Sequence, residues 1–491
     1  MLGPDICLLN CRFRLSGSDH FMEYCYFRRM KTIIDGQRKY FLEGHTRSLS
    51  SRKKTLRRLH DLLLENEPLL AGALEKDFRK SYYLTVENEL SLPYGEINYA
   101  FRHLKRWSRP RRYRTNLINF PGVSRSIPVP YGVVLVIGPW NYPYMLSLVP
   151  AISALAAGNT VILKPSEIPS NASAALAQLI NTNFPRELFY VQEGGAEVGA
   201  DLLKERFDKI FLTGSSRTGR NVMTAAAEHL TPVTLELGGK NPVIVMPDCR
   251  IGPTAKKLTW GKFHNNGMAC VSIDHVFVHE EIVDELIEEI KKYILKIYGP
   301  DPGQSPILPR MINEFHFDRV MSMIDPGKVV AGGRSSREKL YIEPTVMYPV
   351  RSGDPLMQQE VFGPVMPIIT YKDPEELVRN LQNGQTPLSL YIFAGNIRKA
   401  KEMMDAIPSG GGMINDVVLN FVNMNTPFGG LGESGMGSYH GKAGFDAFTH
   451  YKTVISKPCW ADNFLKYPPH RRFYLRIFRS VLGRSFRNFW R

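Results

Sequence analysis

Between residues 48 and 114, apolar side chains recur every three to four positions: Leu56, Leu59, Leu62 and Leu63, then the Leu69–Leu70 pair. This period predicts amphipathic helices, interrupted at Asn66-Glu-Pro68, where proline removes a backbone donor. Residues 109–130 set Pro and Gly among short β-type runs and predict an excursion from the core. After it the period changes. Strand-length apolar runs at 132–137, 160–163, 187–191 and 209–213 alternate with helical stretches, notably 147–157 and 170–181. Such alternation predicts an α/β fold with a doubly wound parallel sheet, whose ligands lie at the strand C-termini. A second α/β block starts near Leu235, with a strand at 242–245 and an amphipathic helix at 280–298, and runs to about Asp416. The glycines from Gly429 to Gly437 predict a rigid loop.

The 491 residues amount to roughly three domains' worth of chain, enough for a large core and a pocket between domains. Apolar residues make up 43% and charged residues 22%, ordinary globular proportions. No apolar run approaches the roughly 18–20 residues that span a bilayer. The net charge is +15, from 62 basic and 47 acidic residues, and it is clustered. Residues 463–491 hold eight basic side chains and no acid, and residues 102–114 hold seven and no acid. Clusters of this kind fit a membrane-facing edge, and no zinc-finger spacing, RNA-binding signature or aromatic–basic interleaving points to nucleic acid. Cys7, Cys11, Cys25, Cys249, Cys270 and Cys459 are scattered, which predicts neither a disulfide framework nor a zinc cluster, and a reducing, cytoplasmic compartment. Residues 1–30 mix arginines with acids, have no apolar signal core, and read as a poorly defined extension.

Five segments carry chemistry. Val133-Val-Leu-Val-Ile-Gly-Pro-Trp-Asn-Tyr-Pro143 delivers Asn141 to a sheet edge, where an amide can donate to a developing oxyanion. Lys164-Pro-Ser-Glu167 ends the next strand with a pair able to grip the hydroxyls of a ribose, or to cap the following helix. Phe211-Leu-Thr-Gly-Ser-Ser-Arg-Thr-Gly219 runs from a strand through Gly214 and Ser215 into a helix start, a place for a diphosphate. Leu235-Glu-Leu-Gly-Gly-Lys-Asn-Pro242 and Phe263-His-Asn-Asn-Gly-Met-Ala-Cys270 put Glu236 and Cys270 34 residues apart. A thiolate nucleophile and a carboxylate base suffice for covalent catalysis on a carbonyl. Taken singly, Cys270 reads equally as a small buried hydrophobe and Glu236 as half of an ion pair.

Together with Glu360-Val-Phe-Gly-Pro364 and Pro427-Phe-Gly-Gly430, these segments follow the order and rough spacing of the aldehyde dehydrogenase superfamily. Thr231-Pro-Val-Thr-Leu-Glu-Leu-Gly-Gly239 and Ser434-Gly-Met-Gly-Ser-Tyr-His-Gly441 resemble its class 3, fatty-aldehyde branch, over roughly residues 41–469. The resemblance implies Cys270 as nucleophile, Asn141 and the Cys270 amide as oxyanion hole, and Glu236 as base for the deacylating water. It implies Lys164 and Glu167 at the adenosine ribose and Gly214 and Ser215 at the diphosphate. Glu360 and Phe362 fall to the nicotinamide ribose and ring. NAD is the implied cofactor, since Glu167 accepts from a ribose 2′-hydroxyl and repels a 2′-phosphate, with NADP the other option in this branch. The implied reaction takes an aliphatic aldehyde to its acid through a cysteine thiohemiacetal and thioester. The implied domains are a cofactor domain (31–108 and 131–234), a catalytic domain (235–439) and a β bridging hairpin (109–130 and 440–462) that joins a homodimer.

The family usually has Gln two residues before the nucleophile and Thr or Ile one before; here they are Met268 and Ala269. An apolar Met268 is expected to line the substrate tunnel. The departure keeps open a silent cofactor- or membrane-binding relative, and a coenzyme-A-acylating enzyme is the other alternative. In the tail (463–491), Leu475, Phe478, Leu482, Phe486 and Phe489 recur at helical spacing opposite arginines. That pattern predicts a helix lying in a membrane interface, hence peripheral contact with the cytosolic face of an intracellular membrane, or else a helix packed on its own subunit or on a dimer partner.

Overall fold

The computed structural model describes residues 19–462, 466–469 and 472–482. The chain forms two compact units, Met1–Trp107 with Pro130–Thr449, and Ser108–Val129 with His450–Arg491. The large unit is a mixed α/β structure built on two sheets.

The first sheet has six strands in the order Gly435–Met436, Val233–Leu237, Lys209–Gly214, Val133–Ile137, Thr160–Lys164 and Phe189–Val191. Five run parallel, and the short edge strand pairs antiparallel, Gly435 opposite Glu236. The first strand in sequence, Val133–Ile137, lies centrally, so the winding reverses between it and Lys209–Gly214. That reversal opens the crevice where doubly wound sheets bind ligands. β-Branched Val133, Val134 and Val136 are wholly buried, and the helix Met145–Ala157 is buried on every side, consistent with an apolar sequence that has no solvent face.

The second sheet has seven strands: Val329–Ala331, Thr345–Met347, Val365–Tyr371, His275–His279, Pro242–Val245, Ser389–Phe393 and Gly411–Ile414. Only the Val329–Ala331 edge is antiparallel. Residues 238–241 carry the chain directly from the C-terminal end of Val233–Leu237 into Pro242–Val245. The C-terminal edge of one sheet thus meets the N-terminal edge of the other. Helices break where the sequence predicts, with Leu49–Glu65 ending at Asn66 and a new helix starting at Glu67.

Two features differ from the residue pattern. A helix, Asp19–Leu42, runs through position 30, where the pattern suggests the end of a loose extension; Met30, Ile33 and Ile34 are buried in the core. The apolar spacing here is the ordinary helical one, obscured by the acids and arginines around it. Residues 1–18 lie outside the described residues. Second, residues 440–449 belong to the large unit and not to the hairpin segment: His440 bonds Glu96 at 3.0 Å, and Gly441–Ala447 is a helix.

The small unit contains a three-stranded sheet of Arg111–Tyr113, Val123–Pro130 and Thr449–Ser456, apart from the end residues Pro130 and Thr449, and an eleven-residue helix, Arg472–Leu482. Phe486 and Phe489 lie outside the described residues. Among the described residues no helix is long and apolar enough to cross a membrane.

Candidate active site

Asn141 sits in the turn after Val133–Ile137, almost fully buried. Its Nδ2 donates to the Met268 carbonyl at 3.1 Å, while its own carbonyl accepts from Lys80 Nζ and Asn265 Nδ2, both at 3.3 Å. Lys80 is wholly buried against Glu89 at 2.7 Å. Glu89 also accepts from the amides of Tyr144 and Met145 at 3.1 and 3.2 Å. A carboxylate at that helix start meets the positive end of the helix dipole, so one buried ion pair fixes both the helix and the Asn141 turn.

The loop carrying Cys270 follows the helix Ile251–Phe263. Asn265, Asn266 and Gly267 take φ values of 48°, 57° and 71° in succession, a left-handed run that Asn and Gly tolerate best. At Gly267 any Cβ would strike the Gly363 carbonyl. Met268 is fully buried and its carbonyl accepts from Asn141 and Asn265; Ala269, not Met268, lines the apolar cavity described below. The loop is therefore held through backbone carbonyls, and a polar side chain at 268 is not required to position it.

Asn241, wholly buried, completes the grip. Its Nδ2 donates to the carbonyls of Cys270 at 2.6 Å and Ser272 at 2.9 Å, and its Oδ1 accepts from the Ser389 amide at 2.9 Å. The Cys270 thiol is pushed up to about 12, by burial first and then by the charges of Glu360 and Glu236, while the backbone amides of Cys270 and Val271 pull it down.

Glu236 lies on Val233–Leu237 with 3% exposure, and neither carboxylate oxygen has a hydrogen-bond partner among the described residues. Burial raises its carboxyl well above the ordinary range. A buried carboxyl without partners is costly unless protonated, and functional sites are where such costs are tolerated.

Glu360 and Phe362 lie in a loop clamped from two sides. Lys240 Nζ bridges Asp274 at 2.5 Å and the carbonyls of Leu356 and Gln359, each at 2.9 Å. Asp274 in turn accepts from the Val361 amide at 2.8 Å, and it is held down to about 2, the hydrogen bond from His275 and the charge of Lys240 outweighing the cost of burial. Arg319 donates to the carbonyls of Glu360, Val361 and Phe362 at 3.1, 2.8 and 3.5 Å. A Cβ at Gly238 would overlap the Glu360 carboxylate, so glycine there admits it. Burial and Asp274 push the Glu360 carboxyl up to about 8. Phe362 meets Trp140 edge-on, with ring centroids 5.3 Å apart.

Lys164 ends its strand, donates to the Pro165 carbonyl at 2.8 Å and stands 3.6 Å from the half-exposed Glu167. Ser215 caps the helix Ser216–Glu228, its hydroxyl accepting from the Thr218 amide at 3.2 Å. All nine residues singled out from the sequence line one cavity of about 850 Å³. A second cavity, about 210 Å³ and largely apolar, shares Cys270 with it and is walled by Leu92, Met145, Val418, Phe421, Phe428 and Tyr439. Cys270 thus borders two chambers, one large with a mixed polar and apolar lining, the other small and largely apolar. Sequence reasoning did not single out Asn241, Lys240–Asp274, Arg319 or Lys80–Glu89; only Asn241 and Lys240 carried a signal, lying within the Glu236 segment.

The sequence profile of the aldehyde dehydrogenase family matches residues 28–454. Aldehyde dehydrogenase family 3 member A2 of Pongo abelii is 38% identical over 443 residues, 90% of this chain and 91% of that protein. The dimeric, NADP-preferring aldehyde dehydrogenase of Canis lupus familiaris is 38% identical over 90% of this chain and 98% of its own length. The substrate-bound structure of Staphylococcus aureus AldH superimposes with a TM-score of 0.90 at 36% identity, covering 92% of this chain and 99% of that one.

Proposed function

The chain belongs to the aldehyde dehydrogenase family, and we propose that it oxidises medium- and long-chain aliphatic aldehydes to carboxylic acids through covalent catalysis by Cys270. It is an NAD(P)-dependent enzyme, as its family is. The single observation that carries the finer reading is the position of Cys270 between the large cavity, lined by both polar and apolar groups, and the small apolar one. One chamber suits a dinucleotide and the other an alkyl chain.

The residues present fit a dinucleotide. Lys164 and Glu167 offer a cation and a carboxylate for the adenosine ribose, Ser215 and Gly214 open a helix N-terminus to the diphosphate, and Glu360 and Phe362 serve the nicotinamide end. The bound nicotinamide supplies the acceptor for the hydride that leaves the aldehyde carbon. Everything else falls to the chain. Cys270 Sγ, after losing its proton to solvent, adds as the thiolate to the carbonyl carbon, and the resulting oxyanion is held by Asn141 Nδ2, now turned from the Met268 carbonyl, and by the Cys270 amide. Oxidation leaves an acyl thioester on Cys270. Glu236, unpartnered and strongly basic once ionised, takes a proton from the water that hydrolyses it. The apolar walls exclude bulk water from the acyl chain.

The helix Arg472–Leu482, with Phe473 and Leu475 exposed, supports a peripheral membrane role for the tail, and the three-stranded sheet of the small unit is the proposed homodimer contact. Liposome flotation of the full chain against one ending at residue 469 tests the former; equal flotation overturns it. The reaction is tested by following reduced-nicotinamide absorbance with NAD and octanal or hexadecanal, for wild type and Cys270→Ala. Turnover by wild type alone supports the reading. No turnover by folded wild type with either NAD or NADP overturns it, as does a strict requirement for coenzyme A.

A further inference from the structure

The apolar chamber has one discordant wall. Its rim is marked by lining residues that are also exposed, Glu87, Ser91, Leu419 and Val422, and Cys270 is shared with the larger cavity. Among the remaining lining residues, mostly apolar but including Asn88 and the hydroxyl-bearing Tyr142 and Tyr439, stands His264. Its ring tilts against Trp260 with centroids 5.0 Å apart, and among the described residues neither ring nitrogen makes a hydrogen bond.

The histidine is neutral at physiological pH, because burial and then the nearby charge of Lys80 push it down to about 4. A neutral imidazole carries one N–H donor and one acceptor nitrogen. In a largely apolar wall those groups gain by pairing with a polar atom on whatever fills the chamber, and a plain hydrocarbon chain leaves them unpaired. A phenylalanine or leucine would fill the same wall without that cost, so packing alone does not account for a histidine here.

We infer that His264 is a specificity-determining residue that selects aldehydes bearing a hydrogen-bonding oxygen part-way along the aliphatic chain over the unsubstituted chain of equal length. The inference rests on the assignment of this chamber to the alkyl chain. The oxygen would sit against an imidazole nitrogen while the carbonyl carbon reaches Cys270.

The test compares kcat/KM for octanal with that for its mono-oxo positional isomers (which, unlike several hydroxy isomers, do not close into lactols). One neutral hydrogen bond predicts that at least one isomer exceeds octanal by about 3- to 10-fold. The ratio should fall to about one in His264→Phe and persist in His264→Gln, which keeps a donor and an acceptor. Turnover of octanal with a flat response across the isomers overturns the inference and leaves the reaction standing, as does a preference that survives His264→Phe. A changed pH–rate profile for octanal in His264→Gln also overturns it, since the residue would then act on the reacting atoms. If octanal is not turned over, the reaction reading has failed separately. Calorimetric binding of octanoate against the oxo-octanoates then decides the His264 inference on the same ratio.

Discussion

Asn241 is the residue whose loss should separate positioning from chemistry most clearly. It touches neither cavity, yet its amide ties the Cys270 and Ser272 carbonyls on one side and the Ser389 amide on the other. Asn241→Ala removes three hydrogen bonds from a site with no solvent exposure. At about 1 kcal/mol each, the loss is about 3 kcal/mol, before the added cost of carbonyls left buried without donors. The freed Cys270 carbonyl lets the proposed nucleophile drift, and a misplacement of about 1 Å costs about 100-fold in rate. Asn241→Asp sharpens the test: it keeps an acceptor for Ser389 but faces two carbonyl oxygens with a carboxylate, so it should slow turnover at least as much as alanine. Urea denaturation and aldehyde-dependent NAD reduction read the two effects. Either variant folding within about 1 kcal/mol of wild type while retaining full rate would refute the reasoning.

Glu236→Gln should arrest deacylation, cutting steady-state turnover by about 100- to 10,000-fold while a first acyl transfer survives as a burst. It should also alter stability with pH. The folded-state carboxyl of Glu236 is raised above its unfolded value of about 4.3, so wild type loses stability as pH climbs above that value. The variant lacks this loss, and denaturation should show it gaining on wild type between pH 5 and 8; a constant difference contradicts the assignment. Lys80→Met strands Glu89 in a wholly buried site and should cost about 3–5 kcal/mol by chemical denaturation, less at low pH as Glu89 takes up a proton. With the thiol of the free enzyme near 12, alkylation of Cys270 by iodoacetamide should climb about tenfold per pH unit across the neutral and mildly alkaline range without a plateau. Glu360→Gln should shift that profile to lower pH, chiefly above about 8, where wild-type Glu360 is charged.

The two-sheet architecture was legible because buried parallel strands are continuous apolar runs, and 133–137 is such a run in both sequence and structure. The site residues were legible where chemistry and turn residues share one short segment. Asn141 after Gly-Pro and Glu236 before Gly-Gly are examples, and the nine residues line one cavity. The clamps were not. Lys80 pairs with Glu89 yet serves Asn141, 61 residues on, and Arg319 holds carbonyls more than 40 residues away. An interaction between a side chain and a distant backbone carbonyl leaves no trace in residue type or period. Met268 misled for a related reason: an apolar residue two positions before Cys270 suggests a tunnel lining, whereas three consecutive left-handed residues turn it into the core and leave Ala269 on the wall. Residue 30 seemed a boundary because local charge obscured a helix whose buried side chains, among the described residues, are Met30, Ile33, Ile34 and Gln37.

The most direct measurement is mass spectrometry of Glu236→Gln after mixing with NAD and octanal and quenching in acid. Octanoyl should appear on the peptide carrying Cys270, dependent on NAD and absent from a Glu236→Gln, Cys270→Ala double variant. An unmodified Cys270, or the acyl group found on another residue while reduced cofactor accumulates, would contradict covalent catalysis at this cysteine.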